Sequence, residues 1–356
     1  MTTRPVRSPR VVELDVLNNS LNLIRLILAL LVLFAHGFYI AGAGPGPGFR
    51  GENLGGWAVL GFFTISGYLI TASRLGHGLG TYLVHRVARI LPGFLVCLVV
   101  TAGVFAPVAW WHDRGTLAGF LTTPTTPVDY VLGNSLLHIT AYDVAGTPVG
   151  VPYPGAWNGS LWTLFYEFCC YLLVGLLLCL PVVRRRRVII VALFVASIVL
   201  WALTPALALR PELQLLARLV PPFLGGAAVQ VLSHRIPLGT NAAVIAVVLA
   251  TASIWFIPHW GAQAAAPLIT YVLLWLSTVL PTPAVIRRHD ISYGAYVYAF
   301  PVQQLLAVAG VYRLGVVVLD LMGLVGTTVL ASLSWRFVER PTMRWARRTT
   351  RGGSPR

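Results

Sequence analysis

Two ionisable side chains, Arg25 and His36, interrupt the otherwise apolar stretch "SLNLIRLILALLVLFAHGFYIA" at residues 20–41. They are eleven residues apart, about three turns at roughly 3.6 residues per turn, which places both on one face of a helix about 16 Å apart along its axis. Asn22, Ala29 and Val32 fall on or near the same face and make it small and polar. A charge inside an apolar span is costly, and such residues face the interior of a helix bundle, where they mark a pathway or a site. Taken singly, Arg25 could reach back to lipid headgroups and His36 could hydrogen-bond a neighbouring helix; their alignment favours a shared role. An imidazole can act as a general base, and a guanidinium fork can hold phosphate.

Two further groups carry chemistry. Glu167 lies within "SLWTLFYEFCCYLL", at a depth that matches His36 when its segment runs in the opposite direction. A carboxylate and an imidazole at one depth read either as a base with its orienting partner or as a buried hydrogen bond that joins two helices. In "HRVARILP" (85–92), Arg86 and Arg89 are three residues apart and point the same way on a helix. With Arg25 they form a potential phosphate site, or they are topological charges at a membrane surface. Arg218 and Asp320 fall near the ends of apolar segments, where snorkelling to the headgroups accounts for them. Tyr166, Ser66 and the pair Gln303–Gln304 could line an acceptor side or serve as polar packing.

The elements that must position these groups follow from composition. The chain of 356 residues is 57% hydrophobic and 10% charged, against about 25% charged in soluble domains, which predicts an all-α polytopic membrane bundle. Apolar runs near 20–41, 54–73, 90–111, 157–180, 188–208, 213–232, 241–260, 262–281, 291–312 and 314–335 give about ten spans. The net charge of +15 would suggest nucleic acid in a soluble chain. Here the arginines alternate with the spans: Arg74, Arg86, Arg89, the run 184–187, Arg235, Arg287, Arg288 and the C-terminal cluster lie on one side, with few on the other. That pattern predicts both termini in the cytoplasm and excludes a nucleic-acid partner.

The expected organisation is one integral membrane domain over 1–356. It has a basic N-terminal segment (1–19) that is retained and not cleaved as a signal, a long extracytoplasmic loop (112–156) and a basic tail (340–356). The loop, rich in Thr, Pro and Gly around "YVLGNSLLHI", reads as a surface-lying or half-inserted helix or as a structured cap. All four cysteines lie in apolar runs and read as small hydrophobes; no His/Cys spacing suits a metal.

The chain resembles the acyltransferase 3 family of membrane O-acyltransferases along nearly its whole length. "NLIRLILALLVLFAH" resembles the family's first span, "GWAVLGFFTISGYLIT" its second and "RVARILP" its Arg-x-x-Arg element. "GSLWTLFYEFCCYL" is similar to its glutamate segment, "ISYGAYVYAFPV" to its late motif and "SWRFVERP" to its closing motif, all in order. The resemblance implies transfer of an acyl group, usually acetyl, from cytoplasmic acyl-CoA to a hydroxyl, commonly on a glycan, a lipid-linked saccharide or an exported metabolite. It implies residence in a bacterial cytoplasmic membrane, His36 as the catalytic histidine, and Arg25, Arg86 and Arg89 as essential arginines. Glu167 would orient the imidazole. The late motif often carries a histidine where this chain has Ala299, so that position receives no role. Some members append a hydrolase-like domain that these 356 residues do not contain, so the chemistry is expected to rest on the bundle. A transporter or flippase that uses Arg25, His36 and Glu167 as a relay is the competing class; against it, the sequence shows no internal repeat or paired broken spans.

Overall fold

The structure, a computed structural model, describes residues 19–351; Arg4, Arg7 and Arg10 of the basic N-terminal segment and the last five residues of the tail lie outside the described residues. The regular secondary structure of the described chain is helical apart from one short antiparallel pair, β1 (Gly48–Phe49) and β2 (Glu52–Asn53), which follows the first helix, and an isolated bridge between Val144 and Thr147. The helices that matter below are α1 (Leu21–Ile40), α2 (Leu54–Gly76), α3 (Leu79–Val100), α4 (Ala106–Arg114), α5 (Pro127–Asn134) and α6 (Trp162–Leu177). They continue with α7 (Val188–Leu203), α8 (Pro211–Leu232), α9 (Thr240–Phe256), α10 (Ala266–Val279), α11 (Ser292–Val308), α12 (Val316–Ser334) and α13 (Arg340–Arg351). Single π-turns at Thr101–Phe105 and Trp335–Glu339 join α3 to α4 and α12 to α13 without a break.

Each expected apolar run contains a helix, and among the described residues six helical stretches are long and apolar enough to cross a membrane. Trp162–Leu177, Thr240–Phe256 and Ala266–Val279 are apolar but shorter. Two boundaries differ from the sequence reading. The third helix begins at Leu79, about three turns before the apolar run at 90, so Arg86 and Arg89 lie within a helix. Residues 340–351, read as tail, are helical because the π-turn carries α12 directly into α13.

By contacts the chain forms two compact units. The first comprises residues 19–25, 59–79 and 169–288. Here α2 and α8 touch backbone to backbone: a Cβ on Gly67 would overlap the Phe223 carbonyl, and one on Gly226 the Thr64 carbonyl. Small residues permit such close approach where lipid offers no hydrophobic drive to association. Arg74, expected as a loop charge, is only 4% exposed in the last turn of α2. It donates to the carbonyls of Gly175 at 3.0 Å and His77 at 2.9 Å, a favourable use of a cation at helix C-termini.

The second unit comprises 26–58, 80–168 and 289–351. Its centre is α11, buried at every position from Ser292 to Gln304. Gly294 lets Ala331 of α12 pack against the backbone, and the Tyr293 hydroxyl donates to the Ile90 carbonyl of α3 at 2.6 Å. Ile40, Val151, Ala156, Phe300, Ala307 and Leu319 form a common core. The loop 112–156 is ordered around α5, which starts with a capping box between Thr126 and Asp129. Asn134 then accepts from the amides of Thr140 at 2.8 Å and Ala141 at 3.1 Å. Val128 and Leu132 of α5, with Leu136 beyond it, are exposed.

Candidate active site

His36 sits in the penultimate turn of α1, a helix favoured by its run of leucine, isoleucine and alanine and ended by Gly42 at φ +71°. The imidazole meets the Phe300 ring edge-on, with centroids 5.1 Å apart. Its Nδ1 is buried, and among the described residues nothing hydrogen-bonds it. The flanks of His36 on α1 are held from two sides. The Gln303 amide nitrogen donates to the Leu33 carbonyl at 3.1 Å and to Asp320 Oδ1 at 2.7 Å. The Asp320 carboxyl lies so flat against Gly37 that a Cβ there would overlap it. Asp320 therefore does not snorkel. It is 8% exposed, one turn into α12, and closed over by α1 and α11. Next along α11, the Gln304 amide nitrogen donates to the carbonyls of Tyr153 and Ala156, both at 2.7 Å, and ties the outer loop to this turn.

A second charged cluster surrounds Arg89. Its Nη2 pairs with Asp290 at 2.6 Å and its Nη1 with Glu339 at 3.1 Å. The guanidinium also lies over the rings of Tyr293 and Trp335, 5.6 and 5.9 Å from their centroids. Glu339, 1% exposed, accepts from Ser334 Oγ at 3.0 Å through its other oxygen. The second oxygen of Asp290 accepts from Ser292 Oγ at 2.5 Å. Arg86, one turn earlier on α3, is half-buried.

Glu167, in the second turn of α6, is half-buried. Tyr296 donates to the Ser160 carbonyl at 2.8 Å and pairs with the Thr163 hydroxyl. The expected hydrogen bond from Glu167 to His36 is not made at Nδ1. In the loop, the Asn158 amide donates to the Tyr130 hydroxyl, and burial holds that phenol above its ordinary range and so neutral.

Of the residues singled out by sequence, His36, Glu167, Arg86 and Arg89 fall in the second unit, whereas Arg25, half-buried on α1, falls in the first. Sequence reasoning missed Asp290 and Glu339 as partners of Arg89. Both stood in quoted or neighbouring strings, "HDISYG" and "SWRFVERP", where an acidic residue among apolar ones was the available signal. Among the described residues no group of three or more His, Cys, Asp or Glu could hold a metal. Chemically, the site offers an imidazole base beside an aromatic wall and a set of buried amide and carboxyl oxygens.

Comparison with known proteins gives a family match to an acyltransferase domain over residues 18–336. An O-acetyl transferase of Shigella phage Sf6 is 27% identical over 354 residues, covering 91% of this chain and 95% of the relative. Nodulation protein 10 of Rhizobium leguminosarum bv. viciae is 26% identical over 358 residues, covering 92% and 93% respectively. No solved structure gives a significant match.

Proposed function

The chain belongs to the acyltransferase 3 family, and from that premise we propose that it moves an acetyl group from acetyl-CoA to a sugar hydroxyl on a glycan, a lipid-linked saccharide or an exported metabolite. The name of the phage relative supports acetyl as the acyl group. The observation that carries the site assignment is the buried Nδ1 of His36, which has no hydrogen-bond partner among the described residues, on a membrane-length helix. In this reading the imidazole takes the hydroxyl proton while the oxygen attacks the thioester carbonyl, or first accepts the acyl group itself; the departing CoA thiolate is then protonated. Glu167, which makes no bond to His36 Nδ1, stabilises through space the charge that develops on the imidazole.

Arg86 holds the CoA phosphates, with Arg89 on the same helix turn, and Arg25 is a further arginine for the donor. Because Asp290 and Glu339 already neutralise Arg89, its main part is to fix α3 where Arg86 needs it. The ten-segment bundle, with both termini cytoplasmic, sits in a bacterial cytoplasmic membrane and forms one functional domain. Acetyl-CoA enters from the cytoplasm, and the acceptor from the side of the loop 112–156.

The test is reconstitution. Purified protein in lipid nanodiscs, given radiolabelled acetyl-CoA and a membrane glycan extract, should release CoA thiol in step with base-labile label on the glycan. Absence of CoA release, with the extract instead moved intact across proteoliposomes, would refute acyl transfer in favour of transport.

A further inference from the structure

Six buried polar atoms without a hydrogen-bond partner among the described residues belong to residues linked to Phe300 by packing, chain neighbourhood or hydrogen bonds: His36 Nδ1, Asn158 Oδ1, Ser160 Oγ, Gln303 Oε1, Gln304 Oε1 and Asp320 Oδ2. His36 packs edge-on against the Phe300 ring. Asn158 and Ser160 flank Gly159, where a Cβ would come within 2.6 Å of that ring. Gln303 and Gln304 follow one turn later on α11, and Asp320 is bonded to Gln303. The five residues other than His36 are each at least nine-tenths buried.

The chemistry of these atoms is one-sided. Gln303 spends its amide nitrogen on two oxygens, and Gln304 does the same, so network logic fixes the amide oxygens as the orphans in both. With Asp320 Oδ2 and Asn158 Oδ1 they make four acceptors, against only the Ser160 hydroxyl and, in one tautomer, His36 Nδ1 as donors. Buried polar groups are normally paired, and a group this concentrated calls for an occupant rich in donors. The acyl end of a thioester presents a carbonyl, an acceptor, and does not suit it. An oxyanion suits it even less. Several hydroxyls on a ring with an apolar face, set against Phe300, do.

We propose that Gln303, Gln304 and Asp320 form the acceptor subsite and receive the hydroxyl protons of a pyranose whose reacting hydroxyl faces His36. This rests on the acyl-transfer reading and adds to it the residues that choose the acceptor.

Titration in lipid nanodiscs, free of glycoside detergents, tests it with four probes: the methyl pyranosides of glucose, galactose, mannose and rhamnose. Cyclohexanol serves as a ring with a single hydroxyl. At least one pyranoside should bind saturably and cyclohexanol should not. Asp320→Asn, which turns an acceptor into a donor, and Gln303→Met should each weaken the pyranoside about tenfold or more while acetyl-CoA affinity stays unchanged, which also reports an intact fold. No saturable pyranoside binding, equal binding of cyclohexanol, or pyranoside affinity untouched in both variants would overturn the proposal. Acetyl-CoA binding without pyranoside binding sinks the subsite alone. Pyranoside binding without acetyl-CoA binding sinks the transferase reading and leaves the subsite standing.

Discussion

Two polar clusters are buried in the same unit, and they are built in opposite ways. Around Arg89, both oxygens of Asp290 and both oxygens of Glu339 receive a donor, and two aromatic rings cover the guanidinium. Around His36 and Phe300, one oxygen of Asp320 and the oxygens of two glutamines receive none. Burial without partners costs about 1–3 kcal/mol per group, so a chain retains such a cluster only where something else is gained. The saturated cluster holds helices together; the hungry one is built for an occupant. Both contain a carboxylate deep in a membrane protein, so charge in an apolar segment does not by itself distinguish a strut from a site. The distinction lies in the donor count.

The widest separation between the clusters should come from His36→Ala. Loss of a general base costs about 10² to 10⁴ in rate, and here no hydrogen bond is lost from the imidazole's Nδ1. Acetyl transfer should fall by that factor, with the thermal unfolding midpoint in detergent nearly unchanged. Residual turnover close to wild type would remove the His36 cluster from the chemistry.

Arg89→Ala should do the reverse. It leaves Asp290 and Glu339 buried near one another with no cation, a change that costs about 3–5 kcal/mol of stability when one partner of a buried pair is removed. Size-exclusion thermostability should show a large loss of folded protein. A normal midpoint with donor affinity lost would make Arg89 a phosphate ligand after all. Arg86→Ala sharpens the same contrast one turn away: a donor KM raised by about tenfold, little change in stability, and poor rescue by Lys, which lacks the planar fork.

Much of this was legible in the sequence, for stated reasons. Arg25, His36 and Glu167 stand out because an ionisable side chain is rare in an apolar run, and helical spacing fixes which of them share a face. Each apolar run proved to contain a helix. What failed was whatever depends on a second helix. Asp320 read as snorkelling because its distance from the helix end was visible, whereas Gly37 and Gln303, which close over it, were not. The Leu33–Gln303 contact spans 270 residues of chain. Depth matching gave Glu167 and His36 a common level but no common azimuth, and the Nδ1 bond is not made. The start of α3 was placed late because His85, Arg86 and Arg89 dilute its apolar run while the helix itself begins at Leu79.

The smallest expected effect is also the most discriminating, because it makes one chemical change in both clusters. Glu339→Gln and Asp320→Asn each replace a buried carboxyl with its amide at constant volume. At Glu339 the change removes the charge that answers Arg89 and places an NH₂ where Ser334 or Arg89 was donating. A hydrogen bond to a charged group is worth about 1.5–3 kcal/mol, part of which Asp290 retains, so the midpoint should fall modestly. At Asp320 one oxygen can still accept from Gln303, and the other had no donor to lose. Stability there should stay within about 0.5 kcal/mol or rise, as it does where a site is kept strained for function. Parallel melts of the two purified variants measure the difference directly. Equal losses would mean that Asp320 is a strut like Glu339, and that donor count does not separate the two clusters.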